Sequence, residues 1–306
     1  MHDEIKKGIS DLYELAVTKA SVFRDGSDNA VWILETKDGK KYVARVSKRD
    51  MGDGIAFEAE WLQFLKSKGL PVVPIVENKS GKPYAFLPDK HAITVFEFVA
   101  GKHLPFDKET PPPLQAVASA AKALAQLHNA SRTANVRPKR IRTVYAELER
   151  VLANEKKIVK RIPDGTDLVS AAKRFVSLKD LSKPVLVHND YRISNLMFDE
   201  NLNAAAILDF DWSCMGPAIK DVAHALAEWS FPDGASSHWQ NIYDAFLKSY
   251  NEVNDVKVAD DKRLRKWIAL SCLSDACTYI VDRLGRGEIR LVNGSYMYKK
   301  FLYFQK

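Results

Sequence analysis

One stretch limits what this chain can fold into more than any other. It runs His188-Asn189-Asp190-Tyr191-Arg192-Ile193-Ser194-Asn195, then an apolar Leu196-Met197-Phe198, a polar turn over residues 199–203, and Ala204-Ala205-Ala206-Ile207-Leu208 into Asp209-Phe210-Asp211. Two short apolar runs around a turn rich in Asp and Asn predict a hairpin. Asn195 at its entrance and Asp209 at its exit are then two hard oxygen donors brought close together. They suit Mg2+, which takes few protein oxygens and completes its shell with water and substrate phosphates. Asp190, five residues before Asn195, shares the loop and can reach a substrate hydroxyl. A carboxylate for the nucleophile and two ligands for a metal are the parts phosphoryl transfer needs, because its catalysis is mostly positioning and charge neutralisation.

The rest of the chain sets bounds around that site. With 306 residues, 46% hydrophobic and 28% charged, it is long enough for a large core and too ordinary in composition for a disordered or fibrous chain. Its three cysteines, Cys214, Cys272 and Cys277, have no metal-ligand spacing. An odd count argues against a secreted disulfide framework and fits a reducing, cytoplasmic setting. The polar opening leads into no apolar segment of the signal-peptide kind, and no apolar run reaches 18 residues, so neither secretion nor membrane insertion is expected. The net charge of +7 permits an anionic partner without naming one. The basic stretch 131–142 has no aromatics to stack bases, so it reads as a solvated loop and no nucleic-acid partner is expected.

Along the chain, residues 1–101 read as a small β-rich domain with one helix, and residues 102–306 as a larger helical one. Ala30–Thr36 and Lys41–Val46 flank Asp38-Gly39, the strongest short-range hairpin signal. Period two puts Tyr42, Ala44 and Val46 on one face and Lys41, Val43 and Arg45 on the other, and position alone makes the Arg45 face solvent-exposed. Phe57, Trp61, Phe64 and Leu65 form a helical stripe that Gly69 and Pro71 end. Ile93–Val99 reads as a strand closed by Gly101. After Pro111–Pro113, Leu114, Val117, Ala121, Leu124 and His128 fall at helical spacing, and two more amphipathic helices run from Trp239 and Leu264.

His188-x-Asp190-x4-Asn195, Ile207-Leu208-Asp209, Gly216-Pro217 and Asp221-Val222-Ala223 together resemble the core stretch of the aminoglycoside phosphotransferase and choline kinase superfamily. The stretch from Asp209 to Ser230 is most similar to its homoserine-kinase-like branch. The resemblance implies an α+β, bilobal, protein-kinase-like fold and an ATP- and Mg2+-dependent transfer to a hydroxyl of a small molecule. It implies that Asp190 orients or deprotonates the acceptor and that Asn195 and Asp209 hold the metal. It further implies that Ser27, Asp28 and Asn29 lie over the nucleotide phosphates, and that Arg45 contacts them with Glu60 as its ion-pair partner and Glu58 as substitute. The backbone of Glu97 and Val99 would read adenine, while His188 and Asp221 would brace the loop. Arg45 stands where the family usually has lysine, a fork in place of a point charge. No Gly-x4-Gly-Lys-Ser/Thr loop occurs, which excludes a Walker-type site.

Tyr191, Trp212, Glu228, Trp229 and Asp275 are the acceptor-pocket candidates, with Tyr279 and Asp282 beyond them. Aromatics mixed with carboxylates suit a cationic amine, so an amino alcohol such as homoserine or choline leads and an aminoglycoside follows. A nucleotide-binding pseudokinase is the alternative of another class, although Asp190, Asn195 and Asp209 are all present. A His188, Asp190 and His238 iron triad would leave Asn195 and Asp209 without a role. The short block from 185 to 223 has no long activation segment, which favours a small acceptor over a protein. The oligomeric state is not readable from the sequence.

Overall fold

The computed structural model describes residues 2–25, 29–47, 52–105, 109–135, 140, 142–232 and 238–306, which form two compact units. The first holds residues 1–101 with the described part of Ala134–Arg140 and with residues 205–211; the second holds the rest. Residues 205–211 therefore join the β-rich unit, although in sequence they sit deep among helices. A chain cut at Gly101 misses this, because the strand that carries them pairs far from its own neighbourhood. Ile207 donates its amide to the Pro71 carbonyl at 2.7 Å.

The first unit comprises α1 (His2–Leu12), β1 (Val17–Asp25), β2 (Asn29–Thr36), β3 (Lys41–Ser47), α2 (Gly52–Ser67), β4 (Ile75–Val76), β5 (Ala85–Phe86) and β6 (Ala92–Glu97). The strands form one antiparallel sheet in the order β1-β2-β3-β6-β4, with β5 also on β6. The β2–β3 hairpin turns where Asp-Gly predicts, with Gly39 at φ 79°, a backbone region open to glycine at no steric cost. On one sheet face Trp32, Leu34, Ala44, Val46, Ile93 and Val95 pack with Ile9 and Tyr13 into a buried core. Tyr13 anchors that core by donating its hydroxyl to the Ile93 carbonyl at 3.0 Å.

α1 is a second helix that the sequence does not announce. Among its apolar residues only Ile9 is described as fully buried, and Tyr13 follows its end, too short a stripe to stand out. Arg45 corrects a second expectation. Its side chain is only 11% exposed, because α2 and Asp211 cover the face on which it stands.

The second unit begins with α3 (Leu114–Arg132), α4 (Ala146–Ala153), α5 (Glu155–Arg161) and α6 (Gly165–Phe175). Short strands β7 (Val185–Val187), β8 (Leu196–Phe198), β9 (Ala204–Ile207) and β10 (Cys214–Gly216) follow, β9 being the one that enters the first unit. Last come α7 (Ile219–Ser230), α8 (Gln240–Val253), α9 (Lys262–Gly285) and α10 (Tyr296–Phe304). β7 pairs antiparallel with β10. Gly216 is required there, since a Cβ would stand 2.6 Å from a Val144 methyl. α7 is buried on every side.

The three cysteines are free and buried. Among the described residues no helix is long and apolar enough to cross a membrane. The basic stretch is not simply solvated. Arg132 bonds the Asn254 side chain at 3.3 Å, Arg140 lies over Phe57, and Arg142 stacks on Trp212 at 4.3 Å and pairs with Glu147 at 3.2 Å. Each of these cations has an aromatic or amide partner distant in sequence, which a search for neighbouring aromatics cannot see.

Candidate active site

In the first unit, β3 and α2 build a charged cluster on the sheet face opposite the core. The Arg45 guanidinium spans two carboxylates: it bonds Glu58 through both terminal nitrogens, one at 3.0 Å, and meets Asp211 at 3.1 Å. The Phe96 ring underlies it at 5.3 Å. Asn29 donates its side-chain amide to Asp211 from the other side. The partner of Arg45 is thus Glu58, where the resemblance names Glu60 first. The reason is helical phase: Glu58 shares the buried face with Leu62 and Leu65, and Glu60 lies more than half a turn around α2. Ser27 and Asp28 lie outside the described residues.

Burial drives the Glu58 carboxyl above its ordinary value, with Asp211 and Asp209 adding to that effect and only Arg45 opposing it. Burial also disfavours the charge on Arg45, but Asp211 and then Glu58 overcome it and hold the guanidinium firmly protonated. Asp209 belongs to this unit and is exposed. Its φ of 63° is the left-handed conformation that Asp tolerates better than most residues. Asp211 escaped the sequence reading. Its signal was a second carboxylate two residues after Asp209.

In the second unit, the loop after β7 presents Asp190. Arg192 clamps one carboxylate oxygen through Nε at 2.6 Å and a terminal nitrogen at 2.5 Å. Asn195 donates its Nδ2 to the other oxygen at 2.8 Å and to the Asp190 carbonyl at 2.9 Å, which turns its own Oδ1 the opposite way. His224 Nε2 stands 3.5 Å from the clamped oxygen. Burial alone would raise the Asp190 carboxyl. Arg192 first, then His224 and His188, outweigh burial and hold it well below the usual carboxylate range.

The loop is fixed from beneath. Asp221, fully buried at the first turn of α7, accepts the backbone amides of His188 at 2.6 Å and Asn189 at 2.7 Å. His128 meets the same carboxylate at 3.1 Å and the Tyr250 hydroxyl at 2.8 Å, and Asn254 donates to that hydroxyl. If Tyr250 donates to His128 Nδ1, His128 donates from Nε2 to Asp221, and a fully bonded polar line joins α8 to the loop. His188 is buried and accepts the Asp190 amide at Nδ1, 3.3 Å away. Asn189 holds φ at 64°, so the bend at that position needs a residue that tolerates the left-handed region.

Of the acceptor candidates, the structure removes two. Tyr191 is fully buried and donates its hydroxyl to the Ala120 carbonyl of α3 at 2.8 Å, and Trp229 is fully buried against Phe246. Both belong to the core, because alternate residues of a loop and successive residues of a buried helix point inward whatever their chemistry. Glu228 is also buried, 3.8 Å from Arg192 and 3.5 Å from Lys300, so it supports the clamp. Trp212 and Asp275 do line a cavity of about 150 Å³ beside Asp190, with Arg142, Glu147, Asn189, Arg192, Lys220, Ser274 and Thr278 on its wall. His238 stacks on Phe231 with 4.2 Å between ring centres. Among the described residues no three His, Cys, Asp or Glu side chains form a metal cage, so the iron triad has no geometric support. Arg192 and Lys220 are site residues that sequence reasoning missed. The only sign of either was a cation set between motif positions.

Residues 19–262 match the family described as Phosphotransferase enzyme family, known as APH. A probable choline kinase of Arabidopsis thaliana is 31% identical over 86 residues, 24% of this chain and 23% of that protein. A homoserine kinase of Caulobacter vibrioides is 25% identical over 212 residues, 68% of this chain and 64% of that protein. The chain thus matches less than two thirds of the length of these relatives. The amicoumacin kinase hAmiN, solved with AMP-PNP, Ca2+ and Ami, superposes with a TM-score of 0.74 at 18% identity, over 100% of this chain and 95% of that one, a likeness of fold. A catalytic-loop sequence in the right order, a two-unit α+β architecture and a family match over most of its length agree: the chain belongs to the phosphotransferase enzyme family.

Proposed function

We propose that the chain transfers the γ-phosphoryl group of ATP to the hydroxyl of a small amino alcohol. The observation that carries this reading is Asp190, a clamped and ionised carboxylate at the wall of a polar cavity. The acceptor hydroxyl donates to Asp190, its oxygen forms the new bond to the γ-phosphorus, and the bond to the bridging oxygen breaks to release ADP. A carboxylate held this far toward its ionised form is a weak base. Its work is to orient the hydroxyl, with the proton passing to Asp190 only late, as a loose transition state allows.

Asn195 and Asp209 would hold Mg2+. They fit it by donor chemistry: Asn195 spends its amide nitrogen on Asp190, which leaves an oxygen to offer, and Asp209 is an exposed carboxylate. When bound, the ion neutralises charge on the phosphate oxygens. Arg45, positioned by Glu58, would contact the phosphates, with Asn29 nearby. Glu97 commits its own amide to the Pro74 carbonyl at 2.9 Å, so adenine would be read by the Glu97 carbonyl and the Val99 amide.

The relatives named for homoserine and choline support an amino alcohol. So does the cavity, whose volume of about 150 Å³ matches that of a site holding a benzene-sized guest and accommodates a short acceptor. The test is ADP release from Mg-ATP across amino alcohols, sugars and aminoglycosides, with Asp190→Asn as the control. One amino alcohol should turn over, with a loss of about 10³-fold in the variant. Turnover with an aminoglycoside alone, or turnover indifferent to Asp190→Asn, would reject the proposal.

A further inference from the structure

The cavity beside Asp190 contains a charge that the transfer reaction does not use and that no described side chain bonds. Lys220, the second residue of α7, lines it and is 1% exposed. The other two cations on the wall are engaged, Arg142 with Glu147 and Arg192 with Asp190. Lys220 forms no ion pair or side-chain hydrogen bond with any described residue. The Ser274 hydroxyl and the Asn189 side-chain carbonyl, on the same wall and buried, also lack partners among the described residues. A buried ammonium and a buried hydroxyl without partners are costly to keep in a folded protein, and a ligand that completes them recovers that cost on binding.

We propose that Lys220 and Ser274 form an anion subsite, so that the acceptor is a short hydroxyl compound carrying a carboxylate, which Lys220 receives as its counter-ion. This rests on Asp190 as the group that meets the hydroxyl. Asp190 and Lys220 then select two different groups of the ligand, and a volume of about 150 Å³ accommodates a chain of a few carbons. The charges on the wall favour a zwitterion. Three cations, Arg142, Arg192 and Lys220, face three acids, Glu147, Asp190 and Asp275, and a hydroxy amino acid preserves that balance. A bare amino alcohol would bring a cation that tips this balance and no carboxylate to bond Lys220. Burial lowers the Lys220 ammonium from its ordinary value, with Asp275 and Asp221 resisting that fall; a bound carboxylate would restore it.

L-Homoserine and 3-amino-1-propanol differ by one carboxylate, and 4-hydroxybutyrate lacks the amine instead. Calorimetric titration of the full chain with each, without nucleotide, should show both carboxylate compounds binding at least about tenfold more tightly than 3-amino-1-propanol, as a charge-assisted hydrogen bond supports. Lys220→Met should erase that preference by weakening the two carboxylate compounds and leave the affinity for Mg-ATP unchanged, whereas Lys220→Arg should keep most of it. A wild type that binds none of the three, one that prefers the amino alcohol, or a Lys220→Met variant that keeps the preference would overturn the subsite. If Lys220→Met does not fold, the wild-type preference and Lys220→Arg decide. Because binding is read without ATP, carboxylate binding with no phosphoryl transfer to any acceptor would defeat the phosphotransferase reading and leave the subsite standing.

Discussion

The two units each set an arginine against carboxylates, and they balance the charge in opposite directions. In the first unit one guanidinium, Arg45, serves Glu58 and Asp211 with Asp209 close by, and the Glu58 carboxyl is pushed up. In the second, Arg192 clamps Asp190 and meets Glu228 and Asp275 more loosely at 3.8 Å, and Asp190, with His224 and His188 behind it, is pushed down. The same ion-pair chemistry thus yields a site rich in negative charge and a site that keeps one carboxylate ionised. On the proposed reading, the first would accept a cation with a phosphate chain, and the second a hydrogen bond from a neutral hydroxyl.

The largest expected effect comes from breaking the second arrangement. Arg192→Met should lower kcat about 100-fold. It should also move the acidic limb of the pH–rate profile upward, toward the ordinary carboxylate value near 4. If kcat falls and the limb stays in place, Arg192 acts on the substrate and not through Asp190. Breaking the first arrangement should read differently. Arg45→Met should raise the KM for Mg-ATP about tenfold with a smaller change in kcat, and Arg45→Lys should recover part of the loss. Equal losses in kcat and kcat/KM would place Arg45 in the transition state and remove the contrast.

The smallest effect concerns stability against pH. Asp190 and Asp221 are depressed on folding, so they contribute stability that is present above the unfolded carboxylate value of about 4 and is lost as pH falls toward their folded values. Glu58 is raised, so its contribution is present below about 4 and is lost as pH rises through its folded value. Hydrogen exchange on acidification below pH 4 should therefore open the 185–196 loop while β3 and α2 stay protected. Equal loss in both segments would remove the opposition.

The family motif of the 188–195 loop was legible, because a motif is a matter of residue type and spacing. The β2–β3 hairpin was legible too, because Asp38-Gly39 states its own turn. The covered face of Arg45 was not, since what lies on a sheet face is decided by a helix and a strand distant in the chain. Glu58 and Glu60 differ only by their phase on α2, and motif spacing cannot choose between them until the buried side is known. Tyr191 and Trp229 have the chemistry of ligand contacts and the positions of core residues, and position won. Lys220 gave only its place between motif positions: a lysine before an aspartate reads as surface until α7 proves to be buried throughout.

The line from Asn254 through Tyr250 and His128 to Asp221 carries a consequence for synthesis. The amides that shape the catalytic loop are held by Asp221, whose own partners reach back to α3 and forward to α8. A ribosome that has just made Asp190 must add Asn254 before that line is complete, a delay of roughly 3–13 s at the usual rate of elongation. The nascent chain thus carries every residue of the 188–195 loop for some seconds before it can hold them in order.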